Sequence, residues 1–120
     1  MTINKEFKMY NKAVEYNNYL RLFVIPTIPS IHRDLRIHLL DEAYSLIRIL
    51  VSASYNKGNI RNKYLNDLII IISMNDYLIG EISNINNNKK VCLHALKNLS
   101  DLKNMIYAWK SNIDNEKDNK

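Results

Sequence analysis

Apolar positions recur at steps of three and four along most of this chain, which is the period of a helix and not of a strand. The pattern is widest between residues 30 and 56, SIHRDLRIHLLDEAYSLIRILVSASYN. Leu35, Leu39, Ala43, Leu46, Leu50 and Ala53 stack on one side, while Leu40, Ile47 and Val51 broaden the apolar arc. Asp34, Asp41, Ser45, Arg48 and Ser52 take the other face. A helix with so broad an apolar arc must touch more than one neighbour, so this segment is predicted to be the central packing element. Pro29 separates it from the upstream chain, and Ser30 reads as its N-cap.

Three further segments share the period. Residues 3–23 carry Ile3, Phe7, Tyr10, Ala13, Val14 and Leu20 on an apolar side, continued by Val24. Lys5, Lys8 and Lys12 lie on another face, with Tyr16, Tyr19 and Phe23 nearby. The prolines of VIPTIP, residues 24–29, predict an extended connector. After a break at Asn56-Lys57-Gly58-Asn59, Gly58 suits a left-handed helix end and Asn59 the cap of the next helix. That helix, residues 60–84, aligns Tyr64, Leu68, Ile71, Ile72, Leu78, Ile79 and Ile82. Its isoleucine run at 69–72 could suit a strand, but the helical spacing continues on both sides. Gly80, unfavourable in a helix interior, suggests a close approach by a neighbour. Arg61 and Asn75 fall on the apolar face and are read as core polar groups satisfied by other helices. Residues 88–112 place Val91, Ala95, Leu99, Leu102, Ile106 and Trp109 together. The expected fold is all-α, an antiparallel up-down-up-down four-helix bundle over residues 1–112, followed by a disordered polar tail at 113–120. Its predicted core includes Leu39, Leu46, Leu50, Leu68, Ile72, Leu99, Ile106 and Trp109. Ile70, Met74 and Tyr77 form a second apolar strip on the third helix and are predicted to be an oligomer interface.

Composition agrees with long helices, since 120 residues contain only 2 Gly and 2 Pro. One domain with a real core is what this length allows. The net charge of +5 is unevenly spread. Residues 1–29 carry +2 and residues 86–112 carry +4, while 30–56 and 57–85 are each neutral and 113–120 carry −1. In an up-down bundle the first and fourth helices adjoin. Lys8, Lys12, Lys89, Lys90, Lys97 and Lys103 are therefore the candidate nucleic-acid-binding residues, gripping phosphates without reading sequence. The single cysteine, Cys92, excludes an intrachain disulfide and reads as a small buried hydrophobe. The charged N-terminal region lacks a signal-peptide core, and the purely apolar run Leu68 to Ile72 is too short for a span, so a cytoplasmic location is expected.

No catalytic constellation emerges. His32 and His38 fall on different sides of one helix, and His94 lies on another, without ligands at metal spacing. There is no glycine-rich phosphate loop and no nucleophile elbow. A non-enzymatic protein without metal or cofactor is expected.

Pro29, Arg33, the helix ending Ala-Ser-Tyr-Asn-Lys-Gly-Asn at 53–59, Arg61 with Tyr64-Leu65, and the closing Tyr-Ala-Trp-Lys at 107–110 carry a resemblance. In their order and spacing they resemble the Avd-like four-helix bundle proteins, the accessory variability determinants of diversity-generating retroelements. These are related to bundle proteins encoded in 23S rRNA intervening sequences. The resemblance covers residues 7–112. It implies a small protomer in a ring-like homopentamer, with a basic surface for nucleic acid and for the retroelement reverse transcriptase. It assigns structural positions to Pro29, Arg33, Arg61 and Trp109. Tyr107-Ala108 stand where the family often has Gly-Gly, and lysine replaces much of its arginine. The alternative is a structural or interaction bundle of the intervening-sequence kind with no retroelement role.

Overall fold

The computed structural model describes residues 3–86 and 88–118, with side chains over 8–86 and 88–112. Four long helices make up the fold: α1, Ile3–Tyr19; α2, Arg33–Ser54; α3, Gly58–Ile85; and α4, Lys89–Asp118. No strand occurs among the described residues, and Ile69 to Ile72 lie inside α3. The molecule measures 54 × 21 × 18 Å, so it is a rod only about two helices thick. α2 packs along α3, α3 along α4, and α1 lies against both α2 and α4.

The core follows the helical period. All eight predicted core residues are buried, joined by Ala43, Ile49, Ala53, Leu65, Leu78, Ile79, Ile82, Ala95 and Leu102. Cys92 is buried among them. Leu35, Tyr64, Ile71 and Val91 border the core, half-buried.

α1 departs most from its expected face. Its buried positions are Met9, Ala13, Tyr16 and Asn17, continued past its end by Leu20 and Val24, whereas Tyr10 is exposed and Val14 half-buried. Two of its inward residues are polar, and their donors find partners on other helices. Tyr16 Oη donates to Asn75 Oδ1 at 2.8 Å, and Asn75 Nδ2 donates to the Ile71 carbonyl. Asn17 Nδ2 donates to the carbonyls of Ala13 and Ala43 at 3.1 and 3.0 Å. Residues with a polar tip can therefore face inward. The side chains of Ile3, Lys5 and Phe7 lie outside the described residues.

The connectors differ from expectation for identifiable reasons. Pro26 has no amide hydrogen, and its ring would press on the carbonyl four residues back. The helix answers by widening into a π turn, Leu20–Val24, in which the Ile25 amide reaches the Leu20 carbonyl. A 3₁₀ turn, Ile25–Thr27, follows, so only Ile28 and Pro29 are extended. Ser30 opens a second 3₁₀ turn, Ser30–His32, instead of capping α2. Arg36 secures this junction, donating from Nε and Nη2 to the Ile28 carbonyl. Gly58 has φ +62° and is the only positive-φ residue among those described, at the turn between α2 and α3. Asn59 does not cap α3, whose preceding residue, Lys57, makes no side-chain cap. Asn88 does cap α4, its Oδ1 accepting from the Val91 amide at 3.3 Å.

Gly80 is not approached closely: a Cβ placed there would meet nothing within 4 Å. By length and composition α3 could cross a bilayer, but the core helix of a soluble bundle satisfies the same criterion. α4 runs to Asp118, so helical backbone enters the segment read as a disordered tail. Its side chains from 113, and residues 119 and 120 altogether, lie outside the described residues.

Candidate nucleic-acid interface

The six candidate lysines sit on α1 and α4, which pack against one another. Two cross-contacts define their seam. Lys12 Nζ lies 3.5 Å from Asp101 Oδ2, and the ring of Tyr19 lies 4.4 Å from that of His94, tilted by 40°. Lys8 is one turn from Lys12, and Lys97 one turn from Asp101, so both flank the ion pair. Lys90 shares a shallow hollow of about 600 Å³ with Tyr19, Asn88, Val91 and His94.

The six candidate lysines therefore fall in two rows. Lys8, Lys12, Lys90 and Lys97 follow the α1–α4 side. Lys103 turns toward α3, in a 190 Å³ hollow with Ser73, Asp76, Leu96 and Ser100. Lys89 precedes Leu96 by seven residues and so shares that second face. Lys8, Lys89, Lys90 and Lys97 are exposed, whereas Lys12 and Lys103 are half-buried. Lys12 is partly engaged by Asp101, which reduces what it offers a phosphate.

The sequence pattern placed Tyr19 and Phe23 near lysines but did not reveal the surface they build. Phe23 lies 5.0 Å from Tyr19. With Leu22, His94 and Asn98 they line a hollow of about 400 Å³ at the end of α1. Leu22 and Phe23 are 67% and 52% exposed, so this is a wet apolar surface beside cationic groups. Burial raises the Tyr19 hydroxyl pKa, and the neighbouring Cys92 adds to the shift.

The structural positions divide as well. Arg33 opens α2 and is exposed, while Pro29 precedes the 3₁₀ turn. Arg61 donates from Nε to the Ala53 carbonyl at 2.9 Å and from Nη2 to the Ser54 carbonyl at 3.2 Å. Its guanidinium carbon lies 4.8 Å from the Trp109 ring centroid, a cation–π contact. Ile70, Met74 and Tyr77 are exposed along the outer face of α3. Comparison with family models, curated proteins and solved structures finds no match to this chain.

Proposed function

We propose that this protein is a non-enzymatic, nucleic-acid-binding accessory protein of the Avd-like kind, which partners a reverse transcriptase and its template RNA in the cytoplasm. The observation that carries the reading is the packing of α1 on α4, which gathers Lys8, Lys12, Lys90 and Lys97 along one edge. Such an edge holds phosphates through charge and positions RNA without selecting sequence. Lys89 and Lys103 extend it across α4. The proposed topology is up-down-up-down. It is supported by pairs that run in opposite chain directions: Tyr19 with His94, then Lys12 with Asp101.

The same reading makes the protein a homo-oligomer, a pentamer by resemblance. In support, Ile70, Met74 and Tyr77 are exposed on α3, and α2 exposes Ile37, Tyr44 and Val51 at seven-residue steps. Rows of exposed apolar groups on two helices of little net charge suit contact with another copy. Those same apolar rows also favour the alternative, a purely structural bundle of the intervening-sequence type.

A salt titration of binding to structured RNA separates the two. Wild type should lose affinity steeply with salt. A Lys8→Glu, Lys90→Glu, Lys97→Glu variant should bind about tenfold or more weakly at low salt. Its slope should be shallower, by roughly one unit for every phosphate that is no longer neutralised. Equal affinities with helicity and mass unchanged would remove this edge from the interface. No binding by either protein would leave the structural alternative.

A further inference from the structure

We propose that the hollow at the end of α1 receives an unpaired nucleobase, so that the protein prefers single-stranded nucleic acid to a duplex. The inference rests on the nucleic-acid reading above and adds what the site recognises. It begins with Pro26, which forces the π turn at Leu20–Val24. Single π turns inside helices are frequent at functional sites. Here the turn ends α1 with Leu22 and Phe23 directed outward, next to the Tyr19–Phe23 and Tyr19–His94 ring contacts. Ring faces and an apolar side chain around a 400 Å³ space suit a flat heterocycle.

Charge selects this occupant over an apolar protein segment. Tyr19 and His94 form a ridge shared with the second hollow, and Lys90 stands on its far side. Arg21 lies at the near rim, its Nη2 donating to Asn18 Oδ1 at 2.8 Å. Glu15 also lines the first hollow and repels a phosphate from it. The arrangement therefore separates the two parts of a nucleotide: the base enters beside Phe23, and the backbone crosses to Lys90 and Lys97. The exposed amide of Asn11 and the Nδ2 of Asn18, whose Oδ1 is held by Arg21, face the base edge. Bases within a duplex have both faces covered by stacking, so only an unpaired base can use the site.

The test compares binding of a homopolymeric single strand of about 12 nucleotides with a duplex of the same length. Phe23→Ala should weaken single-strand binding by about tenfold, leave duplex affinity within about twofold, and leave the salt slope unchanged. Phe23→Tyr, which keeps a ring, should retain the wild-type preference, and His94→Ala should reproduce part of the loss. Helicity by circular dichroism serves as the folding control, and Phe23 is exposed enough for truncation to be tolerated. Wild-type binding of both ligands with no selective loss in Phe23→Ala would overturn the base site while leaving the phosphate edge intact. A change in oligomeric mass without a change in single-strand affinity would assign the hollow to protein contact and overturn it too. If wild type binds neither ligand, the nucleic-acid reading fails and the base site fails with it.

Discussion

Tyr16 is enclosed among the helices, with its hydroxyl committed to Asn75. Burial, and secondarily the carboxylate of Asp76, push its pKa well above the ordinary value near 10. An unfolded Tyr16 loses its proton near pH 10 while the folded residue keeps it, so above that pH the native state holds the extra proton. Stability from this group is thus complete below about pH 10 and declines as pH rises further. Tyr16→Phe should flatten the alkaline decline in urea-unfolding free energy. At neutral pH it should cost about 1–3 kcal/mol, because Asn75 Oδ1 loses its donor. A variant with the wild-type alkaline slope would show that Tyr16 does not govern it. Tyr16 falls three residues after Ala13 and four before Leu20, so the helical period allows it inward, but nothing near it in the chain supplies a partner for its hydroxyl. Its inward turn depends on an acceptor 59 positions away. Leu39, Leu46 and Leu50, by contrast, were legible because burying them requires only an apolar neighbour.

Among the elements, the junction of α2 with α3 has the most explicit chemistry. The last carbonyls of a helix lack intrahelical donors, and here Arg61 serves those of Ala53 and Ser54 while covering Trp109 of α4. One side chain thus links three helices. Arg61→Lys retains the charge but not the planar fork, and should cost about 1–3 kcal/mol. Trp109 is the only tryptophan in the chain, so its emission should report the change directly. An unaltered spectrum and unaltered urea midpoint would mean that a point charge suffices. The four helices themselves were readable from spacing, because each repeats its signal over several turns. Their ends were not: Ser30 and Asn59 look like caps, yet the chain enters α2 through a 3₁₀ turn and α3 without a side-chain cap. The π turn also left no period of its own, since its cause is the single residue Pro26. Gly80 misled for the opposite reason, as its cost is offset by no close packing in this chain.

For the whole molecule, the exposed apolar rows on α2 and α3 lead to a mass prediction. A pentamer of 14.1 kDa chains should scatter light as roughly 70 kDa, and Ile70→Glu with Tyr77→Glu should lower that mass without loss of helix. A wild-type mass near 14.1 kDa at micromolar concentration would end the assembly proposal. The lysines were readable as a charge imbalance along the chain. Their division into two rows was not, because it depends on the rotation of α4 about its own axis. That uneven charge also has a consequence for motion. A thin rod whose excess of positive charge lies on α1 and α4, with far less net charge on α2 and α3, experiences a torque near a polyanion, as well as an attraction. It would turn before it touches, so a larger share of collisions would begin with the lysine edge and the Phe23 hollow already facing the strand. Orientation, and not only affinity, would then set how quickly it captures a passing single strand, and added salt would slow that capture by shortening the distance over which the turn begins.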